Sequence, residues 1–280
     1  MVITFECTNE VVTRLGEHSD MRAASAQLPA GAYTTFRTYG GNRILRLRQH
    51  AQRLRDSVAL MGHPASLSDE QVRRGISAAL RETNFPESRF RLTLAASASD
   101  GAPSRFFVSV EPFKPYPPDL YEHGVACATV ALHRDNPHAK STGFISAAGE
   151  AYHALPPGIH EGLMVADDGA ILEGLSSNFF AVCDGALHTE QARALVGITQ
   201  SLVLELVARI RPAMQVQRAA ICVDDLPNVS ECFITSVSRE VLPVVRIDDQ
   251  PIGNGRPGPL ACDLRAAFRE LIEREAEALE

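Results

Sequence analysis

Four prolines fall within seven residues in Pro112-Phe113-Lys114-Pro115-Tyr116-Pro117-Pro118. A run that lacks so many backbone donors and fixes so many φ angles continues neither as a helix nor as a central strand. It is the clearest boundary in a chain whose 280 residues suit one large domain or two of ordinary size. The expected division is residues 1–113, a linker at 114–122, and residues 123–280. A hydrophobic content of 45% is enough for packed cores.

The first part reads as mixed α and β. Ala32–Tyr39 is rich in β-branched and aromatic residues, Gly40-Gly41-Asn42 supplies a turn, and Ile44–Leu47 returns. The pattern predicts a helix over 50–61 and a second one capped by Ser68. Arg89–Ala95 and Arg105–Val110 read as strands, close enough in sequence to pair antiparallel. The second part is strand-rich, with strands expected at 124–132, 162–165, 170–172, 178–182 and 232–235. Asp167-Asp168-Gly169 and Asp184-Gly185 are turns. Helices are expected over 199–210 and 264–279.

A net charge of −7 and a pI near 5.7 argue against a nucleic-acid surface or an anionic membrane as partner. No apolar run reaches membrane-spanning length. The six cysteines form no C-x-x-C pair, so they read as reduced thiols of a cytoplasmic protein, with no structural zinc.

Of the 27 basic residues only Lys114 and Lys140 are lysines; the rest are arginine. A lysine amine can lose its proton and form a Schiff base, whereas a guanidinium stays protonated. Lys114 lies in the proline run, which offers little desolvation. Lys140 lies in His138-Ala139-Lys140-Ser141-Thr142-Gly143. Downstream come Glu173-Gly174-Leu175-Ser176-Ser177-Asn178-Phe179-Phe180 and Gly197-Ile198-Thr199, the latter opening a helix. A helix N-terminus binds phosphate through free N–H groups and the dipole. An amine, a carboxylate and a phosphate-sized turn are the parts needed to hold pyridoxal 5′-phosphate (PLP).

The Glu-Gly-x-x-Ser-Asn-x-Phe run, with Lys upstream and Leu-x-Gly-Ile-Thr downstream, resembles the fold-type IV (class IV) PLP aminotransferases. That family includes branched-chain and D-amino-acid aminotransferases and 4-amino-4-deoxychorismate lyase. The resemblance runs from about Gly31 to Leu264. It implies an α/β (α+β) fold of two domains, an N-terminal α/β sandwich and a C-terminal pseudo-barrel carrying the lysine, with PLP in the cleft between them. It also implies a homodimer acting on an amino donor and a keto-acid acceptor.

Residue by residue, the resemblance implies that Lys140 forms the Schiff base with PLP and shuttles the proton. Glu173 pairs with the pyridine nitrogen, and Arg53 clamps the phosphate. Gly197, Ile198 and Thr199 bind phosphate. Ser236, Val237 and Ser238 give contacts near phosphate and substrate, and Ser177 and Asn178 shape the turn beside the cofactor. Tyr33 stands where the family places a pocket aromatic, with Thr35 near it, and Arg91 aligns with a strand residue that lies near the substrate carboxylate in several members or else makes a strand-surface ion pair. Arg37 and Arg239 are open to either an acidic substrate or an ordinary ion pair. Two departures bear on specificity. Ala95–Gly101 lacks the arginine motifs of many members, including the carboxylate trap typical of D-amino-acid enzymes. Phe144-Ile145 replaces the Asn-Tyr pair usual in branched-chain enzymes. The reading is an aminotransferase. The alternatives are a lyase of the aminodeoxychorismate type and, more remotely, a non-catalytic PLP-binding relative.

Overall fold

The computed structural model describes residues 1–8, 10–63, 65–96 and 104–279. The chain begins with β1 (Val2–Cys7), β2 (Val12–His18), α1 (Met21–Ala26), β3 (Gly31–Tyr39), β4 (Arg43–Ile44), α2 (Leu47–Leu60), α3 (Asp69–Thr83), β5 (Ser88–Ala95) and β6 (Phe106–Pro112). Next come α4 (Pro118–His123), β7 (Val125–Val130), α5 (Phe144–His153), β8 (Ile159–Val165), β9 (Ile171–Gly174), β10 (Asn178–Cys183), β11 (Ala186–His188) and α6 (Ile198–Ile210). It ends with β12 (Val216–Gln217), a 3₁₀ turn (Val223–Asn228), β13 (Val229–Ser236), β14 (Glu240–Ile247), β15 (Gln250–Pro251), α7 (Pro259–Glu275) and β16 (Glu277–Ala278). Two compact units result. One holds Met1–Lys114, Ala139–Ile145 and Ile272–Glu280; the other holds Pro115–His138 and Ser146–Leu271. The units do not follow chain order, and the segment carrying Lys140 groups with the first.

The first unit is a seven-stranded sheet, β16-β4-β3-β5-β6-β1-β2, antiparallel at every pairing. Helix α2 buries Leu47, Ala51, Leu54 and Val58, and α3 buries Val72, Ile76 and Ala79, the three-and-four spacing of a one-sided stripe. Both stripes join the core formed by Phe5, Phe36, Phe90 and Val108 of the sheet. Ser68 caps α3 as expected, its Oγ accepting from the Gln71 N–H at 3.0 Å.

The second unit is a nine-stranded sheet with β12-β11-β10-β13-β14-β7-β8-β9 along its path. Edge strand β9 is joined to β10 by residues 175–177 alone, although β10 lies near the opposite edge. The sheet must therefore curl until β9 reaches β10, which makes an incompletely closed barrel. Cys127, Leu163, Phe179, Ile234 and Leu242 fill it. Asp184 and Gly185, with φ of 50° and 78°, make the left-handed two-residue turn between β10 and β11.

Three sequence expectations are corrected. Part of the expected linker is helical, because Pro118 opens α4 at a position whose N–H would have no partner in any case. The terminal helix ends at Glu275, not Leu279. Beyond it, β16 pairs with β4, the Leu279 N–H donates to the Asn42 carbonyl at 3.1 Å, and Leu279 enters the first core. Strand β14 was not among the expected strands, and it carries Pro243 mid-strand, opposite Phe233. Of the Ala95–Gly101 stretch, residues 97–101 lie outside the described residues.

Candidate cofactor and substrate site

Lys140 is held by strand-like pairing. Ala32 and Ser141 form an isolated antiparallel bridge, the Tyr33 N–H donates to the Lys140 carbonyl at 2.9 Å, and the Thr142 N–H donates to the Gly31 carbonyl at 2.8 Å. The Lys140 N–H donates to Ser57 Oγ of α2 at 3.1 Å. Its Nζ lies 4.9 Å from the centre of the Tyr33 ring, and the Arg91 guanidinium lies 5.0 Å from that centre. Side chains alternate along a strand, so Tyr33 and Thr35 share one sheet face with Arg91, which stands opposite Thr35 in register. The three expected substrate residues are therefore brought together. Arg91 Nη1 is engaged by α1, donating to Ser25 Oγ (2.6 Å) and the Met21 carbonyl (3.1 Å), while its Nε is buried without a partner among the described residues. Arg37 lies between two rings, 4.2 Å from Tyr39 and 4.5 Å from Phe113.

Arg53 sits on α2, one turn after His50. His50 is buried, 2.7 Å by its Nδ1 from Thr34 Oγ1. Burial, and then the charges of Arg53 and Lys140, depress its pKa well below the usual imidazole value. Arg53 and Lys140 thus both lie near enough for their charges to act on His50. The sequence reading passed over His50. Its signal was the spacing 50, 54, 57, which places it on the buried stripe of α2.

In the second unit Glu173 lies on β9 with its side chain buried. Arg134 donates to Glu173 Oε1 at 2.8 Å, both side chains being about 5% exposed or less, and the Leu195 N–H donates to the same oxygen at 3.3 Å. A carboxylate in that place can accept a hydrogen bond from a protonated ring nitrogen. Arg134 too was missed, since an arginine in an irregular stretch carries no local signal.

The Glu173–Asn178 run is a tight turn closed by the Gly174 N–H on the Ser177 carbonyl at 2.7 Å. Asn178 Nδ2 donates to the Leu195 carbonyl at 2.7 Å, which places the chain entering α6. Gly197 is required at that entry, because a Cβ there would lie 1.9 Å from Asn178 Oδ1. The Gly197 N–H is engaged by Gln200 Oε1 at 3.1 Å, so Ile198 and Thr199 supply the helix's opening donors. Ser236, Val237 and Ser238 form the half-buried turn from β13 to β14, and Thr235 stands opposite Asn178. Each unit carries groups that fit parts of PLP: an amine and an arginine in the first, a buried carboxylate and a helix N-terminus in the second. No helix among the described residues is long and apolar enough to cross a membrane.

A mixed α/β unit and a curled sheet, carrying this set of groups, define a PLP enzyme of fold type IV. A family model for class IV amino-transferases matches residues 31–247, and the chain belongs to that family. It is similar to the branched-chain-amino-acid aminotransferase of Pseudomonas aeruginosa, 27% identical over 266 residues, covering 89% of this chain and 86% of that one. A D-alanine aminotransferase of Bacillus licheniformis is 37% identical over 110 residues, 39% of this chain and 38% of that one. Among solved structures, a T.th. branched-chain amino acid aminotransferase with pyridoxamine 5′-phosphate shares the fold with a TM-score of 0.83 at 22% identity, covering 99% of this chain and 98% of that one. An Escherichia coli branched-chain amino acid aminotransferase gives 0.79 at 23%, covering 98% and 96%. The protein is a PLP-dependent aminotransferase, acting between an amino donor and a 2-keto acid.

Proposed function

We propose that Lys140 is the lysine that binds PLP covalently and moves the proton at the substrate carbon. The observation that carries this is the anchoring of Lys140: its backbone pairs with β3 and its Nζ stands beside the Tyr33 ring. When bound, PLP supplies an electron sink for the carbanion formed at that carbon. Arg53 and the Ile198 and Thr199 N–H groups, with Gly197 allowing the tight helix entry, hold its phosphate. Ser236, Val237 and Ser238 line that side. Glu173, paired with Arg134, would hold the protonated ring nitrogen, while Ser177 and Asn178 set the turn that presents it. Tyr33 and Thr35 face the substrate, with Arg91 behind Tyr33.

The first test is the visible spectrum of the purified protein with PLP and single amino donors. A yellow band that bleaches with a donor and returns with a keto acid is expected. Lys140→Ala should lose the band and turnover, and Lys114→Arg should keep both. Wild-type turnover in Lys140→Ala would overturn the assignment. Release of pyruvate without a keto-acid acceptor would instead mark β-elimination. The family resemblance supports a homodimer, which light scattering checks. Six free cysteines support a cytoplasmic, reducing location.

A further inference from the structure

Beneath the Glu173–Asn178 turn lies a charge pair that the cofactor reading leaves without a role. Glu161, on β8, has no exposed surface, and Arg239, at the turn into β14, is buried. Glu161 Oε2 lies 3.2 Å from Arg239 Nη2. The same carboxylate accepts from Ser177 Oγ at 2.9 Å, from Ser176 Oγ at 3.1 Å and from the Tyr152 hydroxyl. Arg239 donates to Ser176 Oγ at 2.9 Å, to the Tyr152 hydroxyl at 3.2 Å and to His160 Nε2 at 3.4 Å. Its backbone N–H donates to Ser236 Oγ at 3.2 Å, and its carbonyl accepts from the Tyr121 hydroxyl at 3.1 Å. Burial alone would lower the Arg239 pKa, but Glu161, Tyr152 and Tyr116 together outweigh it and raise it, so the guanidinium stays charged.

A buried ion pair is weak as a source of stability, because desolvating both charges offsets much of their attraction. It is strong as a source of direction: a planar fork and a carboxylate fix the positions of everything bonded to them. The partners here are two turns. Ser176 and Ser177 belong to the turn after Glu173, and Ser236 opens the turn between β13 and β14. From Ser177 the chain passes to Asn178, which holds the Leu195 carbonyl ahead of α6. The pair therefore reaches all three segments of the second unit that the cofactor reading uses.

We propose that Glu161 and Arg239 are positioning residues, whose ion pair locks the Glu173–Asn178 turn to the Ser236–Ser238 turn and so shapes the cofactor seat of the second unit. Arg239 is thereby committed to Glu161 and does not meet an acidic substrate. The inference rests on the PLP reading above.

The test compares Glu161→Gln, Arg239→Lys and the double variant Glu161→Gln/Arg239→Met with wild type, all loaded with PLP. The control is Arg211→Met, which breaks a surface pair with Asp263. PLP dissociation constants, the visible circular dichroism of bound cofactor and Tm are measured. PLP affinity is expected to fall about ten-fold, as for other supporting contacts around a bound group, with a weakened dichroic band. Arg239→Lys and the double variant should lose this affinity even where their Tm stays near wild type, since neither leaves an unpaired buried charge. Should Glu161→Gln fail to fold, those two carry the test. Wild-type affinity and dichroism in the folded variants would overturn the pair's role alone. A wild-type protein that takes up no PLP would overturn the cofactor reading and this inference with it.

Discussion

The Tyr33 N–H donates to the Lys140 carbonyl at 2.9 Å, and the Lys140 amine returns to within 4.9 Å of the Tyr33 ring centre. Residues 107 positions apart in the chain are thus joined twice, once through backbone and once through side chain. Arg91 sits 5.0 Å from the same ring. A ring attracts such cations by its quadrupole, for about 0.5–2 kcal/mol each.

Tyr33→Phe keeps a ring beside both cations and is expected to leave stability near wild type. Tyr33→Ala removes a buried ring and should cost about 3–5 kcal/mol, with a lower kcat. Urea denaturation and an amino-transfer assay check both. Wild-type stability in the alanine variant would mean that the ring packs against nothing that matters.

Gly197→Ala places a methyl group 1.9 Å from Asn178 Oδ1. The Asn178 amide must then release the Leu195 carbonyl, and the entry to α6 shifts. PLP affinity is expected to fall about ten-fold, and Gly197→Ala/Asn178→Ala should lose less than the sum of the single variants, as residues in contact do. Strict additivity in PLP titrations and melting curves would show that the two act separately.

Glu190 is buried, and its carboxylate accepts from the N–H groups of Ala192 (2.7 Å), Arg193 (3.1 Å) and Ala220 (3.3 Å). Burial pushes its pKa up, but these donors outweigh burial and hold it below the ordinary carboxylate value. With the folded pKa depressed, the stabilisation is present above the unfolded pKa of about 4.3 and is lost as pH falls through the folded value. Glu190→Ala should cost about 2 kcal/mol at pH 7 by orphaning buried donors. The gap to wild type should narrow below pH 4. A pH-independent gap in denaturant titrations would refute the charge's part.

Glu231 behaves in the opposite sense. It caps α7 by accepting from the Leu260 and Ala261 N–H groups, each at 3.2 Å, yet burial raises its pKa above the ordinary value. Its ionisation therefore opposes folding: stability is full below the unfolded pKa and falls as pH rises through the folded one. Glu231→Gln keeps one acceptor and removes the charge. It should be less stable than wild type at pH 4, with the difference shrinking as pH rises to 7. A difference that grows over that window would contradict the raised value.

Much of the candidate site was legible because its signals are local. Lys140 stood out in a chain with two lysines, Gly197-Ile198-Thr199 reads as a helix start that can bind phosphate, and the Glu173–Phe180 run is a short motif that carries the family resemblance. The helix of α2 and the cap at Ser68 were equally readable. Phe144-Ile145 was legible only as a departure, opening α5.

Sequence by itself determined which residue types could do the chemistry and where the Ser68 cap and the Asp184-Gly185 turn fall, since capping and turn preference act over a few residues. Tertiary structure alone decided that Lys140 groups with β3, that β16 completes the first sheet, that Arg134 meets Glu173, and that Glu161 meets Arg239 across 78 positions. An unpaired strand edge or a buried charge takes whichever partner chain closure brings to it, and no local pattern encodes that choice.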